Sequence, residues 1–410
     1  MQFGDRILQL ADHLAQWSET PGGLTCTYLS PAHRAVAAEI SRFMQNAGLK
    51  THTDAVANVV GRYASKDERA PTVIMASHYD TVRNAGKYDG RLGILAGLVV
   101  AEHLARSGKR LPFHLDLVAF SEEEGVRFSA PYIGSGAIAG RFDSGWLERR
   151  DANGISLAQA LRQADYDVAT IPRLMRRKSD LSAYMEIHIE QGPVLLDSDL
   201  PVGIVTAIAG NSRFGVTIEG TAGHAGTVPM SVRHDAAAAA AELVLYVERR
   251  CSAPGLVGTV GRLSLPEGAI NVIPSRCELS IDIRCEDDAK RLTAVDDVLA
   301  EMHEITKRRG VRAHAVPLID AAAVQCSSRL QDIFAQSIEE FGLPVRRLPS
   351  GAGHDAVMFD GITDIAMLFV RCGNGGVSHS PLETITAHDA DLAARILLDV
   401  IERLSRATID

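Results

Sequence analysis

The chain has 410 residues, more than one hydrophobic core usually organises, so two domains are the prior expectation. Apolar residues make up 46% of it and charged residues 23%, an ordinary soluble balance, and the formal net charge of −9 comes without a basic stripe. That excludes a binder of phosphate backbones or anionic lipid, and no run approaches the ~18 apolar residues of a membrane span, so neither nucleic acid nor membrane is an expected partner.

The opening stretch MQFGDRILQLADHLAQW places Asp5, Arg6 and Asp12 inside an apolar periodicity, which predicts an amphipathic helix and not a secretory signal. Ser30-Pro31 predicts a helix start and Gly48 its exit: serine supplies a capping oxygen, proline fits the first turn, and glycine tolerates the left-handed bend. Three apolar runs follow, TVIMAS (72–77), FHLDLVAFS (113–121) and AYMEIHIE (183–190), with a helical pattern over 92–107. Strands of this kind belong to a sheet with helices on both faces, where ligands collect beyond the strand C-termini. From about residue 211 the pattern changes to half-exposed strands at 213–220, 258–265, 276–284 and 311–317, with helices over 235–250 and 288–309. This order predicts an α+β open-faced sandwich (ferredoxin-like) over 211–324, inserted between the two parts, 1–210 and 325–410, of an α/β mixed-sheet catalytic domain. A helix over 327–341 and a strand at 364–370 resume the earlier alternation. Cys26, Cys251, Cys277, Cys285, Cys326 and Cys372 are scattered without a CxxC pair, which fits reduced thiols in a cytoplasmic protein.

Metal-type residues stand at the ends of the strands. His78 closes TVIMAS, and Asp80 beside it is placed to orient the imidazole. Asp89 lies in NAGKYDGRLG, a glycine-flanked loop before a helix. Glu122, Glu123 and Glu124 follow the second strand; adjacent carboxylates repel one another unless solvent or cations separate them, and at the tip of an apolar strand cations are the better explanation. His188 lies in the third strand and His379 in the glycine-rich GNGGVSHSPLE. A lone histidine is more often structural, and a glutamate run more often a solvated face. Together these residues form the mixed nitrogen and oxygen donor set that suits Zn2+, Mn2+ or Co2+.

The segments HYDTV, GKYDG, SEEEGVRF, EIHIEQGP, GTAGHAGTVPM and SHSPLE resemble, in order, the motifs of the M20-type metallopeptidase superfamily, and within it the hydantoinase/carbamoylase group. SEEEGVRF followed by IGSGAIAG, and MLFVRCGNGGVSHSP, look most like the allantoate amidohydrolases. The resemblance implies two divalent metal ions per subunit, Mn2+ first and Zn2+ second. His78 and His188 would hold one ion, Glu124 and His379 the other, and Asp89 would bridge both. It further implies Glu123 as general base, Asp80 as the residue orienting His78, and a homodimer through the inserted lid/dimerisation domain, with His224 of one subunit acting in the partner's site. Gln191, Asn271 and Arg284 are implied as substrate contacts, His354 in SGAGHDA is a further candidate, and Glu122 has no assigned role. Many M20 peptidases carry a second acid after the bridging aspartate; here Gly90 follows, as in the ureido-cleaving branch.

The expected reaction is hydrolysis of the ureido C–N bond of a small carboxylate, foremost allantoate to ureidoglycine, ammonia and CO2. N-Carbamoyl-L-amino-acid hydrolase or β-ureidopropionase activity is the alternative within the class. A peptidase of the wider superfamily and a non-catalytic dimeric scaffold are the readings outside it. A ureido carbon is a weak electrophile, so its oxyanion needs added help, which a hydrogen bond from His224 would give. The guanidinium of Arg284 suits a carboxylate bidentately, and the amides of Asn271 and Gln191 match a ureido group. Ligands drawn from both domains imply a hinge near Gly210 and Val324.

Overall fold

The computed structural model describes residues 2–407 and divides into two compact units. The first runs to Thr206 and resumes over Cys326–Leu348 and from Gly353 onward; the second is Ala207–Gln325 with Pro349–Ala352.

In the first unit four strands run parallel, in the spatial order His114–Phe120, Thr72–His78, Leu181–Ile189, Ile365–Val370. Val59–Tyr63 and Lys50–Thr53 extend the sheet antiparallel on one side, and Val202–Ile208 on the other, so the sheet is mixed. All residues of Thr72–His78, His114–Phe120 and Ile365–Val370 are buried, as strands covered on both faces must be. The two-residue alternation sorts their side chains. Val73, Met75, Leu115, Leu117, Met185 and Ile187 enter a core shared with helices Phe3–Leu14, Arg91–Ser107 and Ala387–Ala407. The intervening residues, among them His78, Phe120, Tyr184 and His188, take the opposite face, where Phe359 stacks on Tyr184. Because the four strands are parallel, His78, the glutamate run, His188 and the segment leading to His379 follow one shared edge.

The local sequence accounts for the flanking elements. Phe3, Ile7, Leu10, Ala11 and Leu14 form the buried stripe of the first helix. Ser30 accepts the His33 N–H, and the helix it caps spans Pro31–Asn46. The antiparallel strands Lys50–Thr53, Val59–Tyr63 and Val202–Ile208, the short strand Arg347–Ser350 and the final helix Ala387–Ala407 are additions to the elements read from the sequence.

The second unit contains a four-stranded antiparallel sheet in the order Arg312–Ala321, Gly210–Glu219, Arg276–Cys285, Leu256–Ser264. Cys277, Leu279, Ile281 and Ile283 pack against Leu243, Val247, Val295 and Val298 of the helices Ala236–Cys251 and Asp288–Arg309. The residues between them, Glu278, Ser280, Asp282 and Arg284, point the other way. A short ribbon, Gly223–His224 paired with Val272–Ile273, lies outside this sheet. No helix among the described residues is long and apolar enough to cross a membrane, and all six cysteines are free and buried.

Candidate metal centre

Asp89 is the hub of the first unit's polar edge. It immediately precedes Gly90 and the helix Arg91–Ser107, and its carboxylate faces three histidines. Oδ1 lies 3.6 Å from Nε2 of His78 and 3.3 Å from Nε2 of His188. Oδ2 lies 3.1 Å from Nε2 of His379, which in turn stands 3.5 Å from Oε1 of Glu124. Two groups of three therefore share Asp89, namely His78–Asp89–His188 and Asp89–Glu124–His379, each with ligand atoms within 4.8 Å of one another.

The far side of each ring is also defined. Nδ1 of His188 is 2.9 Å from the Ile189 carbonyl, so it donates there, and Nε2 keeps its lone pair. That Nε2 is buried, makes no hydrogen bond, and looks at a carboxylate oxygen. An acceptor facing an acceptor in the interior needs a proton or a cation between them. Nδ1 of His78 is 3.4 Å from Oδ1 of Asp80. Asp80 also accepts the backbone N–H groups of Glu123 at 3.1 Å and Glu124 at 3.2 Å, and so aligns the histidine and the acidic segment together.

The charges are under stress. Burial opposes a charged His78, but Asp80 and Asp89 outweigh it and hold its pKa well above the ordinary value. Burial likewise opposes an ionised Asp89, and the facing rings of His188, His379 and His78 outweigh it and hold its carboxyl well below the ordinary value. Burial pushes Glu123 well up, with His78 pulling back only in part, and pushes Glu124 up to about 7, aided by Asp89. Acids that resist ionisation beside histidines that attract protons are the donor chemistry that a divalent cation relieves. The residues fit a metal pair.

Other expected residues fall differently. Glu122 joins none of the ligand groups; its buried carboxylate lies beside Asp80, and burial and Asp80 push its pKa well up. Of the three glutamates, only Glu123 and Glu124 fall in groups whose atoms could hold an ion. His354 is 1% exposed and packs edge-on against His188 at 4.5 Å between ring centres. It forms a further group with Glu186 and His188, so it stands against a candidate ligand. Burial and then His188 hold it well below the ordinary histidine pKa. Gln191 donates to Oδ2 of Asp89 at 3.0 Å.

The second unit holds the remaining candidates. His224 accepts the Gly226 N–H on Nδ1 at 3.0 Å, and Ala225 N–H donates to the carbonyl of the exposed Asn271. Arg284, expected to hold a substrate carboxylate, meets both oxygens of Asp282 with its Nε and Nη2 at 3.1 and 2.9 Å, and its Nη1 donates to the Gly351 carbonyl at 2.7 Å. Alternation along the strand puts positions 282 and 284 on one face, which is why the acid captures the fork.

A model of peptidase family M20/M25/M40 matches residues 74–403. The chain belongs to the M20/M25/M40 family. Within that family it is 39% identical over 405 residues to the N-carbamoyl-L-amino acid amidohydrolase of Geobacillus stearothermophilus, covering 98% of this chain and 99% of that protein. It is 37% identical to allantoate deiminase 1 of Glycine max, over 96% of this chain and 88% of that protein. The solved amidase of the hydantoinase/carbamoylase family from Burkholderia multivorans is similar in structure, with a TM-score of 0.91 and 31% identity over 97% of each chain. The resemblance drawn from the motifs is borne out at both levels.

Membership in the M20 family also frames a departure noted in the sequence. Gly90 has φ +65°, and a Cβ there would stand 2.5 Å from the His78 ring, so an acid at this position is excluded sterically in this chain. Sequence reasoning missed Glu186, which accepts from Ser77 and Tyr184 beneath His188, and Glu383, which sits in the quoted SHSPLE without a role. Only Glu186 had a visible signal, its place two residues before His188 on the same strand face.

Proposed function

We propose that this M20-family chain is a dinuclear-metal amidohydrolase that cleaves the ureido C–N bond of a small carboxylate, with allantoate as its substrate. The observation that carries the reading is the division of one buried carboxylate, Asp89, between two sets of nitrogen and oxygen donors. His78 and His188 would hold one ion, Glu124 and His379 the other, and Asp89 both. Mn2+ is the proposed metal, and the donors also accept Zn2+. Such ions supply water of lowered pKa and positive charge beside a reacting carbonyl.

The chain's own residues do the rest. Glu123, next to Glu124 and kept from easy ionisation by burial, moves the proton from the attacking water to the departing nitrogen. Asp80 holds His78 and the Glu123–Glu124 backbone in register. His224 accepts on Nδ1, so its proton is on Nε2, the tautomer that donates to a developing oxyanion. We propose Gln191, Asn271 and Arg284 as substrate contacts, and His354 as support for His188. The inserted unit, with its ferredoxin-like strand order, would serve as lid and as homodimer contact, with His224 acting in trans. Support for the dimer comes from its two edge strands, which expose Val257, Leu263, Val316, Leu318 and Ile319; uncovered apolar edges invite pairing.

A second reading, hydrolysis of an N-carbamoyl-L-amino acid, is favoured by the 39% identity to the Geobacillus stearothermophilus protein. Both substrates join a carboxylate to a ureido group. Metal-reconstituted protein assayed for ammonia release from allantoate, N-carbamoyl amino acids and β-ureidopropionate decides between them. Turnover of allantoate above the others is expected, and no turnover of any ureido acid overturns the proposal.

A further inference from the structure

Glu383 is 3% exposed and reaches two loops far apart in the chain. Its Oε1 accepts the backbone N–H of Tyr88 at 2.8 Å and of Asp89 at 3.2 Å, and its Oε2 lies 2.9 Å from the Ser378 hydroxyl. That hydroxyl is also 3.3 Å from Oδ2 of Asp89, the oxygen that faces His379. The sequence leaves space for the contact: a Cβ at Gly86 would stand 2.3 Å from the Glu383 carboxyl carbon. An enclosed two-oxygen acceptor thus ties the loop 86–90 to the segment 378–383.

The two ligand groups depend on this tie unequally. His78 and His188 are carried by interior strands of the sheet. His379 lacks that support: its side chain is half exposed, its backbone sits at φ +54°, and it belongs to a loop. Asp89 keeps another anchor, since Leu92 N–H bonds the Tyr88 carbonyl and Arg91 N–H the Asp89 carbonyl as the helix begins.

We propose that Glu383 is a positioning residue for the Asp89–Glu124–His379 group, acting through Ser378 and the Asp89 backbone. It sets the affinity of one ion of the pair and leaves the ion at His78–Asp89–His188 nearly unchanged. The proposal rests on the two-ion reading above.

Titration of metal-free protein with Mn2+, followed by calorimetry and by the electron spin resonance of free Mn2+, measures both affinities without substrate. Glu383→Ala is expected to weaken one ion about 10–100-fold and the other less than about twofold, the range for residues that orient ligands. Glu383→Gln keeps an oxygen for the two N–H groups and an N–H for Ser378, and is expected to restore most of the lost affinity. Gly86→Ala displaces the carboxylate without removing it and is expected to follow Glu383→Ala; it carries the test where the Glu383 variant does not fold. Equal loss of both ions, loss of neither, or no rescue by glutamine overturns the proposal. Wild-type protein that binds fewer than two ions overturns the two-ion reading itself, and the proposal with it.

Discussion

Nε2 of His188 and Oδ1 of Asp89 stand 3.3 Å apart in the interior, while Nδ1 of the same ring is turned to the Ile189 carbonyl. The ring has one proton to give when neutral, and the carbonyl takes it. A cation between His188 and Asp89 satisfies both without charging the imidazole, and the same argument extends across Asp89 to His379.

Metal removal is therefore expected to cost stability as well as turnover. Ion binding at a hundredfold excess over its dissociation constant stabilises a folded protein by about 2.7 kcal/mol. Chelated protein is expected to melt lower and to recover on adding Mn2+, and Asp89→Asn is expected to lose the Mn2+-dependent rise altogether. Calorimetric melting of both proteins with and without Mn2+ checks this; an Asp89→Asn variant that keeps the full rise would show that Asp89 bridges nothing.

Glu123 and Glu124 are neighbours with different expected parts. Glu123→Ala is expected to retain both ions, measured by metal analysis, and to lose about 10²–10⁴-fold in kcat, the usual worth of a general base. Glu124→Ala is expected to lose an ion. Identical metal content and identical kcat in the two variants would remove the distinction between base and ligand.

The candidate donors were legible in the sequence because each stands where an apolar strand stops or a glycine-rich loop begins, as with His78 after TVIMAS and His379 in GNGGVSHSPLE. What stayed hidden was tertiary. The contact of Glu383 with Gly86 joins segments from opposite ends of the chain, and no local pattern announces it. The ion pair of Arg284 with Asp282 was in plain view, since alternation along the strand 276–284 puts both on one face. The short strands Lys50–Thr53 and Val59–Tyr63 gain their identity from pairing, which composition does not carry.

His33 offers a test of acid stability away from the metal centre. Its ring is fully enclosed between Tyr28 and Tyr79, Nε2 bonds the Ser121 carbonyl at 2.6 Å, and burial lowers its pKa from 6.5 to about 4. Between those values the unfolded chain holds a proton that the folded chain does not. Stability is therefore lost as pH falls from 6.5 toward 4, by on the order of 3 kcal/mol in all. His33→Gln keeps a donor for the carbonyl and does not titrate. Denaturant midpoints at pH 7.5 and pH 5 are expected to differ less in the variant than in the wild type; equal acid sensitivity would clear His33 of that role.

The action of His224 across a dimer is open to a direct test by mixing. In a heterodimer of a Glu123→Ala chain and a His224→Ala chain, trans action gives one site with Glu123 and His224 both intact, and one site lacking both. Action within one chain leaves every site with a defect. Each variant alone is expected to be poor, His224→Ala by about 10²–10³-fold in kcat for the loss of an oxyanion donor. After subunit exchange, half the dimers are mixed and half their sites are whole, so about a quarter of wild-type activity is expected to return. With Nδ1 accepting the Gly226 N–H, Nε2 is the nitrogen left to donate, so His224→Gln, which keeps an N–H, is expected to retain more activity than His224→Ala. Exchange that restores nothing, in a mixture shown by mass measurement to contain heterodimers, would place His224 in its own chain's site or in none.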